Sequence, residues 1–184
     1  MKGTTPRTKP AVERRTDLLD ATETLLLSRG VDGFTIEDVT TGAGVAKGTF
    51  YLHFANKGDL LDALRERYVR RFAEAQLAEA RKHHGVAGVQ AWIRAGVAEY
   101  LGDVRLHDML FHPASRGQSD PPDTVTTTLA DLLAALDHPP ADPEVTATIL
   151  YAAMHGVTDH IIHAPDTADR MLTGLDDLVR AVLT

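Results

Sequence analysis

The chain has 184 residues, 43% of them hydrophobic and 24% charged, enough apolar material for a packed core in one large domain or two small ones. It has no cysteine, which excludes disulfides, thiolate metal sites and thiol catalysis and fits a reducing compartment. The net charge of −7 hides an asymmetry: residues 1–71 carry 12 Lys/Arg against 10 Asp/Glu, residues 72–184 only 7 against 16. A mildly basic head on an acidic body suits contact with a polyanion at one end.

No apolar run is long enough to span a membrane, and the basic stretch MKGTTPRTKPAVERR lacks the apolar segment of a secretion signal. A cytoplasmic location is expected. Strand signals are scarce, and helical spacing and punctuation recur throughout. The sequence predicts an all-α protein of about nine helices.

The first helix is predicted from about Lys9 to Ser28, with Pro10 in the opening turn, Leu18, Ala21, Thr22 and Leu25 on one face, and Gly30 as the stop. Thr35, followed three residues later by Asp38, is a capping-box pattern that opens a short second helix. Gly42 and Gly44 end it with a tight turn, both read as tolerating positive φ. A third helix is expected over about Val45–His53. Asn56 to Asp59 offers the next N-cap, and Leu60, Leu61, Leu64, Tyr68, Phe72 and Ala75 keep helical spacing to an end near His83-His84-Gly85.

Further helices are expected over about 86–101, 104–111, 124–136 and 142–163, with a last one reaching the C-terminus. SRGQSDPPD, 115–123, is the clearest loop.

The stretch GAGVAKGTFYLHF, 42–54, ties this plan to chemistry. A short helix, a tight glycine-containing turn and another short helix form a helix-turn-helix pattern, whose second helix fits the roughly 12 Å major groove of duplex DNA. Lys47 can reach a phosphate or a guanine edge, and Gly48 lets the backbone approach. Thr49 can meet a phosphate or a thymine methyl, and Tyr51 and His53 can bond phosphates. Lys57 in the first turn of the fourth helix and Thr35 at the cap of the second are further anion contacts. Phe50 and Phe54 should point inward.

On these residues the chain resembles the tetracycline-repressor (TetR) family of bacterial transcription regulators. The resemblance runs from Arg15 to Leu61. It is carried by Ala21, Leu25, Gly30, Phe34-Thr35, Val39, Ala43-Gly44-Val45, Gly48-Thr49, Tyr51, Phe54, Lys57 and Leu60. Ala46 departs from the serine that many members carry there, which removes one phosphate-contacting hydroxyl. The resemblance implies a DNA-binding domain over 1–57, with a basic arm at 1–15, and an effector-binding and dimerisation domain over 58–184. It implies a homodimer on a palindromic operator of double-stranded DNA, released by a small-molecule effector, with no cofactor and no catalysis.

Trp92, Tyr100, Met109, Phe111 and Tyr151 are candidates to line the effector pocket. Ala152, Ala153 and Gly156 on the penultimate helix, with Leu172, Leu175 and Val179 on the last, are candidates for a four-helix dimer interface. A competing reading is a metal-binding or metal-sensing helical protein using His155, Asp159 and His163, which recur at four-residue steps.

Overall fold

The computed structural model describes residues 10–111 and 123–184. Among these residues there are helices and no strands. In chain order they are α1 (Ala11–Arg29), α2 (Ile36–Gly42), α3 (Lys47–Tyr51), α4 (Lys57–Ala80), α5 (Val86–Gly102), α6 (Val104–Phe111), α7 (Asp123–Ala134), α8 (Pro143–His163) and α9 (Ala168–Leu183). A 3-10 turn over Pro165–Thr167 leads into α9. The segment 112–122, which includes most of the predicted loop, and residues 1–9 of the basic arm lie outside the described residues. No described helix is long and apolar enough to cross a membrane.

The chain forms two compact units, one of residues 10–66 with 108–111 and one of residues 67–107 with 123–184. The division expected at 57/58 does not coincide with this. Helix α4 passes from the first unit to the second between Glu66 and Arg67, and the end of α6 returns to the first. The reason lies in the start of α4: Leu60, Leu61 and Leu64 are buried, and Arg65 donates from Nε and Nη2 to the Leu110 carbonyl at 3.0 and 2.9 Å. Those contacts extend the N-terminal unit past the helix-turn-helix.

In the first unit α1 buries Leu18, Leu19, Thr22 and Leu26, one helical face. Thr22 enters the core because its hydroxyl donates to the Leu18 carbonyl at 2.7 Å. Phe34, Val39, Phe50 and Phe54 complete that core. Each such side chain contributes about 1.5–3 kcal/mol on burial.

The second unit is built on α8, whose buried residues Ala147, Leu150, Met154, Thr158 and Ile161 keep a helical period. Helix α8 packs against α5, α7 and α9. Helix α5 contributes Val89, Trp92, Ile93, Val97 and Tyr100, and α9 contributes Leu175 and Val179. Asp142 caps α8 by accepting from the Val145 amide at 3.0 Å, with Pro143 in the first turn. Helix α9 is held by a two-pronged ion pair of Arg94 with Asp176, its Nε at 3.0 and 2.9 Å from the carboxylate oxygens.

Candidate nucleic-acid interface

The capping box at α2 is formed. Thr35 Oγ1 accepts from the Asp38 amide at 3.2 Å, and Asp38 Oδ2 accepts from the Thr35 amide at 2.8 Å. The Thr35 hydroxyl also donates to Asp38 Oδ2 at 2.7 Å, and Arg29 Nη1 lies 3.0 Å from Oδ1. Those Thr35 hydrogen bonds, then the Arg29 guanidinium, hold the Asp38 carboxyl down to about 2. The Thr35 hydroxyl is therefore engaged in the cap, and what it still offers an anion is its remaining lone pair, not a donor.

The turn between α2 and α3 is closed by Ala43 N–H to Val39 O at 2.9 Å, Gly44 N–H to Thr41 O at 3.1 Å and Val45 N–H to Thr40 O at 3.0 Å. Gly44 has φ +64°, a conformation that glycine adopts without penalty. Gly42 has a different task. It is helical, and a Cβ there would lie 3.3 Å from the Ala21 Cβ, so its bareness lets α2 press on α1.

Helix α3 has five residues, Lys47–Tyr51, and is shorter than the nine-residue span expected from 45 to 53. Ala46 sits at its N-cap without a side-chain hydrogen bond, the consequence of alanine in place of serine. Phe50 and Phe54 are buried with ring centroids 5.6 Å apart, and they anchor α3 from below. What remains outside is a compact face. Lys47 and Gly48 are exposed, Thr49 and His53 are half-buried, and Tyr51 is 53% exposed with its ring edge on Phe50. Lys47 and Tyr51 share a face at i, i+4, as do Gly48 and Leu52. No protein atom lies within 4 Å of a Cβ built on Gly48, so nothing described inside the subunit requires glycine there.

Leu52, 78% exposed, belongs to this face and escaped the sequence reading. Its signal was present, since it lies one helical turn beyond Gly48. A cleft of about 250 Å³ beside α3 is lined by Arg14, Asp17, Gly44, Ala46 and Thr49 among others. Of the basic arm, Arg14 and Arg15 lie within α1, and the Arg15 guanidinium sits 5.3 Å from the Phe54 ring centroid.

Lys57 has partners inside the head. Its ammonium donates to the carbonyls of Val31 and Phe34, both at 2.6 Å, and lies 3.9 Å from the Phe34 ring centroid. The loop 31–34 leaves those carbonyls outside any helix, and a flexible four-carbon stem lets the cation reach back to them. Lys57 acts as a clasp on the head.

The residues expected to line an effector pocket are divided between the two units. Met109 and Phe111 belong to the first unit, while Trp92, Tyr100 and Tyr151 belong to the second. Within the second, Tyr100 stacks on His107 with centroids 3.7 Å apart, and Tyr68 Oη lies 3.2 Å from His107 Nδ1. His155 joins this cluster, 5.1 Å from Tyr100 and 5.2 Å from Tyr151. Burial, then the Asp103 charge, pushes the Tyr68 phenol well above its ordinary range, and burial pushes Tyr151 up to about 12.

The metal reading fails on geometry. His155 and His163 are eight residues apart on one helix, about 12 Å along its axis, too far to share an ion. His155 turns into the aromatic cluster, and His163 Nδ1 lies 2.8 Å from the Asp159 carbonyl. Among the described residues no three His, Cys, Asp or Glu side chains are grouped to hold a metal ion.

For the dimer candidates the structure separates two edges of one stripe. Leu175 and Val179 are buried in their own subunit, and Leu172 is half-buried, so the first two are not available to a partner. Exposed instead are Leu178 and Val182 on α9 and Val145, Ile149, Ala152 and Gly156 on α8, with Ala153 half-buried. Leu175–Val179 and Leu178–Val182 are both i, i+4 pairs, and periodicity alone cannot say which one faces home.

A short, exposed helix braced by a tight turn and a second helix, on a buried three-helix core, defines a helix-turn-helix DNA-binding protein. Residues 18–64 match the family model for bacterial regulatory proteins of the tetR family, so the helix-turn-helix domain is similar to the DNA-binding domain of that family. Over 51 residues it is 39% identical to HTH-type transcriptional repressor KstR2 of Rhodococcus jostii, covering 28% of this chain and 25% of that one. Over 59 residues it is 42% identical to HTH-type transcriptional regulator TtgR of Pseudomonas putida, covering 32% and 28%. The matches thus span about a quarter of the length of these curated relatives. The crystal structure of a TetR-family transcriptional regulator from Pectobacterium atrosepticum superposes with a TM-score of 0.73 at 21% identity, over 95% of this chain and 96% of that one. That likeness establishes the fold.

Proposed function

We propose that the protein is a transcriptional repressor that binds a palindromic operator as a homodimer and is released by a small-molecule effector held in its second unit. The observation that carries the reading is the face of α3, where Lys47, Gly48, Tyr51 and Leu52 are solvent-exposed above the buried Phe50 and Phe54. An exposed cation, a glycine with no internal steric reason, a half-exposed phenol and an exposed leucine make a poor folding unit and a good groove contact. The cation meets phosphate or guanine, and the apolar groups meet thymine methyls.

Dimerisation is supported by the small and apolar stripe of Val145, Ile149, Ala152 and Gly156 on α8 with Leu178 and Val182 on α9. Two such faces packed across a twofold axis form a four-helix contact, and the paired heads then address half-sites about 34–36 Å apart. Helix α4 gives the regulatory reading its covalent route, since it starts a few residues after α3 and continues into the second unit. The place of action is the cytoplasm, and the chain acts by binding alone.

The test is selection from a random duplex pool followed by anisotropy titration. The expected result is an enriched inverted repeat. Lys47→Ala combined with Tyr51→Ala should abolish its binding while leaving the circular dichroism spectrum unchanged. Lys47→Ala alone should flatten the slope of log K against log salt by about 1.8, one phosphate's worth from each of the two heads. A double variant that binds the selected repeat as the parent does would sink the assignment of α3.

A further inference from the structure

Among the buried polar atoms of the second unit that find no hydrogen-bond partner in the described residues are Gln76 Oε1 and Trp92 Nε1. Gln76 on α4 and Trp92 on α5 are both 0% exposed. The Gln76 Nε2 donates to the Trp92 carbonyl at 3.3 Å and faces Met154 Sδ at 3.8 Å. That orients the carboxamide, and its Oε1 finds no donor among the described residues. The Trp92 indole Nε1 likewise finds no acceptor among them. Gly96 belongs to the same arrangement, because a Cβ there would collide with Gln76 Nε2 and Met154 Sδ.

A core that needed only packing would be better served by leucine and phenylalanine at these positions, since a buried donor or acceptor left unpaired carries its full desolvation cost. Departures of this kind from core rules are the places where function is expected. The two orphans are complementary in kind, one an acceptor and one a donor. The remaining buried polar side chains described in this unit are His107 and Thr158, and Thr158 Oγ1 is already committed to the Met154 carbonyl at 2.8 Å. No Lys, Arg, Asp or Glu is among the buried residues described here, and the His107 imidazole is engaged with Tyr68 Oη and the Tyr100 ring, so no charged side chain is set aside for an ion in this core. The helical neighbours Val89, Ile93, Val97 and Leu150 are aliphatic and buried, and Met154 is the adaptable side chain able to move aside for an entering group.

We propose that Gln76 Oε1 and Trp92 Nε1 are the polar anchors of an effector site that takes an uncharged, largely aliphatic molecule bearing a hydroxyl or primary amide. Such a head group gives a hydrogen to Gln76 and accepts one from Trp92. An ether offers no donor, and a carboxylate offers no donor and brings a charge that this core leaves unpaired. The proposal rests on the reading of the second unit as the effector-binding body and names the chemistry that body selects.

Trp92 is the chain's only tryptophan, so its fluorescence reports the site directly. The experiment titrates the free full-length protein, without DNA, with 1-octanol, octanamide, methyl octyl ether and octanoate at pH 7. Trp92 emission and the thermal midpoint are followed. The alcohol and the amide should bind at least tenfold more tightly than the ether and the octanoate. The preference should disappear in Gln76→Leu and, read by thermal midpoint, in Trp92→Phe, which keeps an aromatic ring and deletes the donor.

Equal binding of alcohol and ether, tighter binding of octanoate, or a preference that survives both variants would overturn the proposal. So would the absence of any response, which would leave the two atoms to an internal water. Because DNA is absent from this assay, failure here is separate from failure of operator binding.

Discussion

Replacing Lys57 by methionine keeps the stem and removes the ammonium that closes the 31–34 loop onto α4. The wild-type cation makes two hydrogen bonds of 2.6 Å, to the carbonyls of Val31 and Phe34, and sits 3.9 Å from the Phe34 ring centroid. A hydrogen bond to a charged group contributes about 1.5–3 kcal/mol, and a partly solvated cation–π contact about 0.5–1 kcal/mol. The three interactions share one half-buried ammonium and do not add, so the expected loss is about 2–3 kcal/mol. For a unit of this size that is roughly 10–20 °C in the melting temperature.

Differential scanning calorimetry, with amide exchange to assign the transition to α1–α3, measures it. Lys47→Met is the control. Lys47 is exposed, so that variant should stay within about 0.5 kcal/mol of the parent while losing DNA affinity. If Lys57→Met and Lys47→Met melt alike, the clasp contributes nothing and the argument for Lys57 is wrong.

Two other outcomes are expected. Ile149→Asp together with Leu178→Asp should leave a helical monomer in sedimentation equilibrium, whereas Leu175→Ala should destabilise the subunit itself by about 2–5 kcal/mol; a dimer that tolerates both aspartates would place the interface elsewhere. Asp38, held at about 2 against an ordinary 3.8 by Thr35 and Arg29, has a depressed folded-state pKa. Its contribution to stability is present above its unfolded value and is lost as the pH falls through that interval. Acid titration of Asp38→Asn should lack this part of the stability loss between about pH 4 and pH 2, and an unchanged acid profile would contradict the capping-box account.

The residues by themselves determined the helices of the head and their order, because those signals are local. Thr35 and Asp38 lie three positions apart, Gly44 supplies its own positive φ, and Phe50 and Phe54 fall on one face within a single turn. Such features depend on neighbours within about one helical turn, so a linear reading captures them. The choice of inward and outward faces in the second unit was not legible in the same way. Leu175–Val179 and Leu178–Val182 have the same spacing, and only packing against α5 and α8 assigns the first pair to the core.

Lys57 read as a free cation because its partners, Val31 and Phe34, are backbone carbonyls more than twenty residues away, and a carbonyl leaves no mark in the sequence. Gln76 carries no signal in the sequence and Trp92 is there one of five candidates to line a pocket; the fold buries both and leaves one atom of each unpaired among the described residues. Tertiary structure decided these matters because satisfaction and exposure are properties of what surrounds a group in space, and the chain order does not record it.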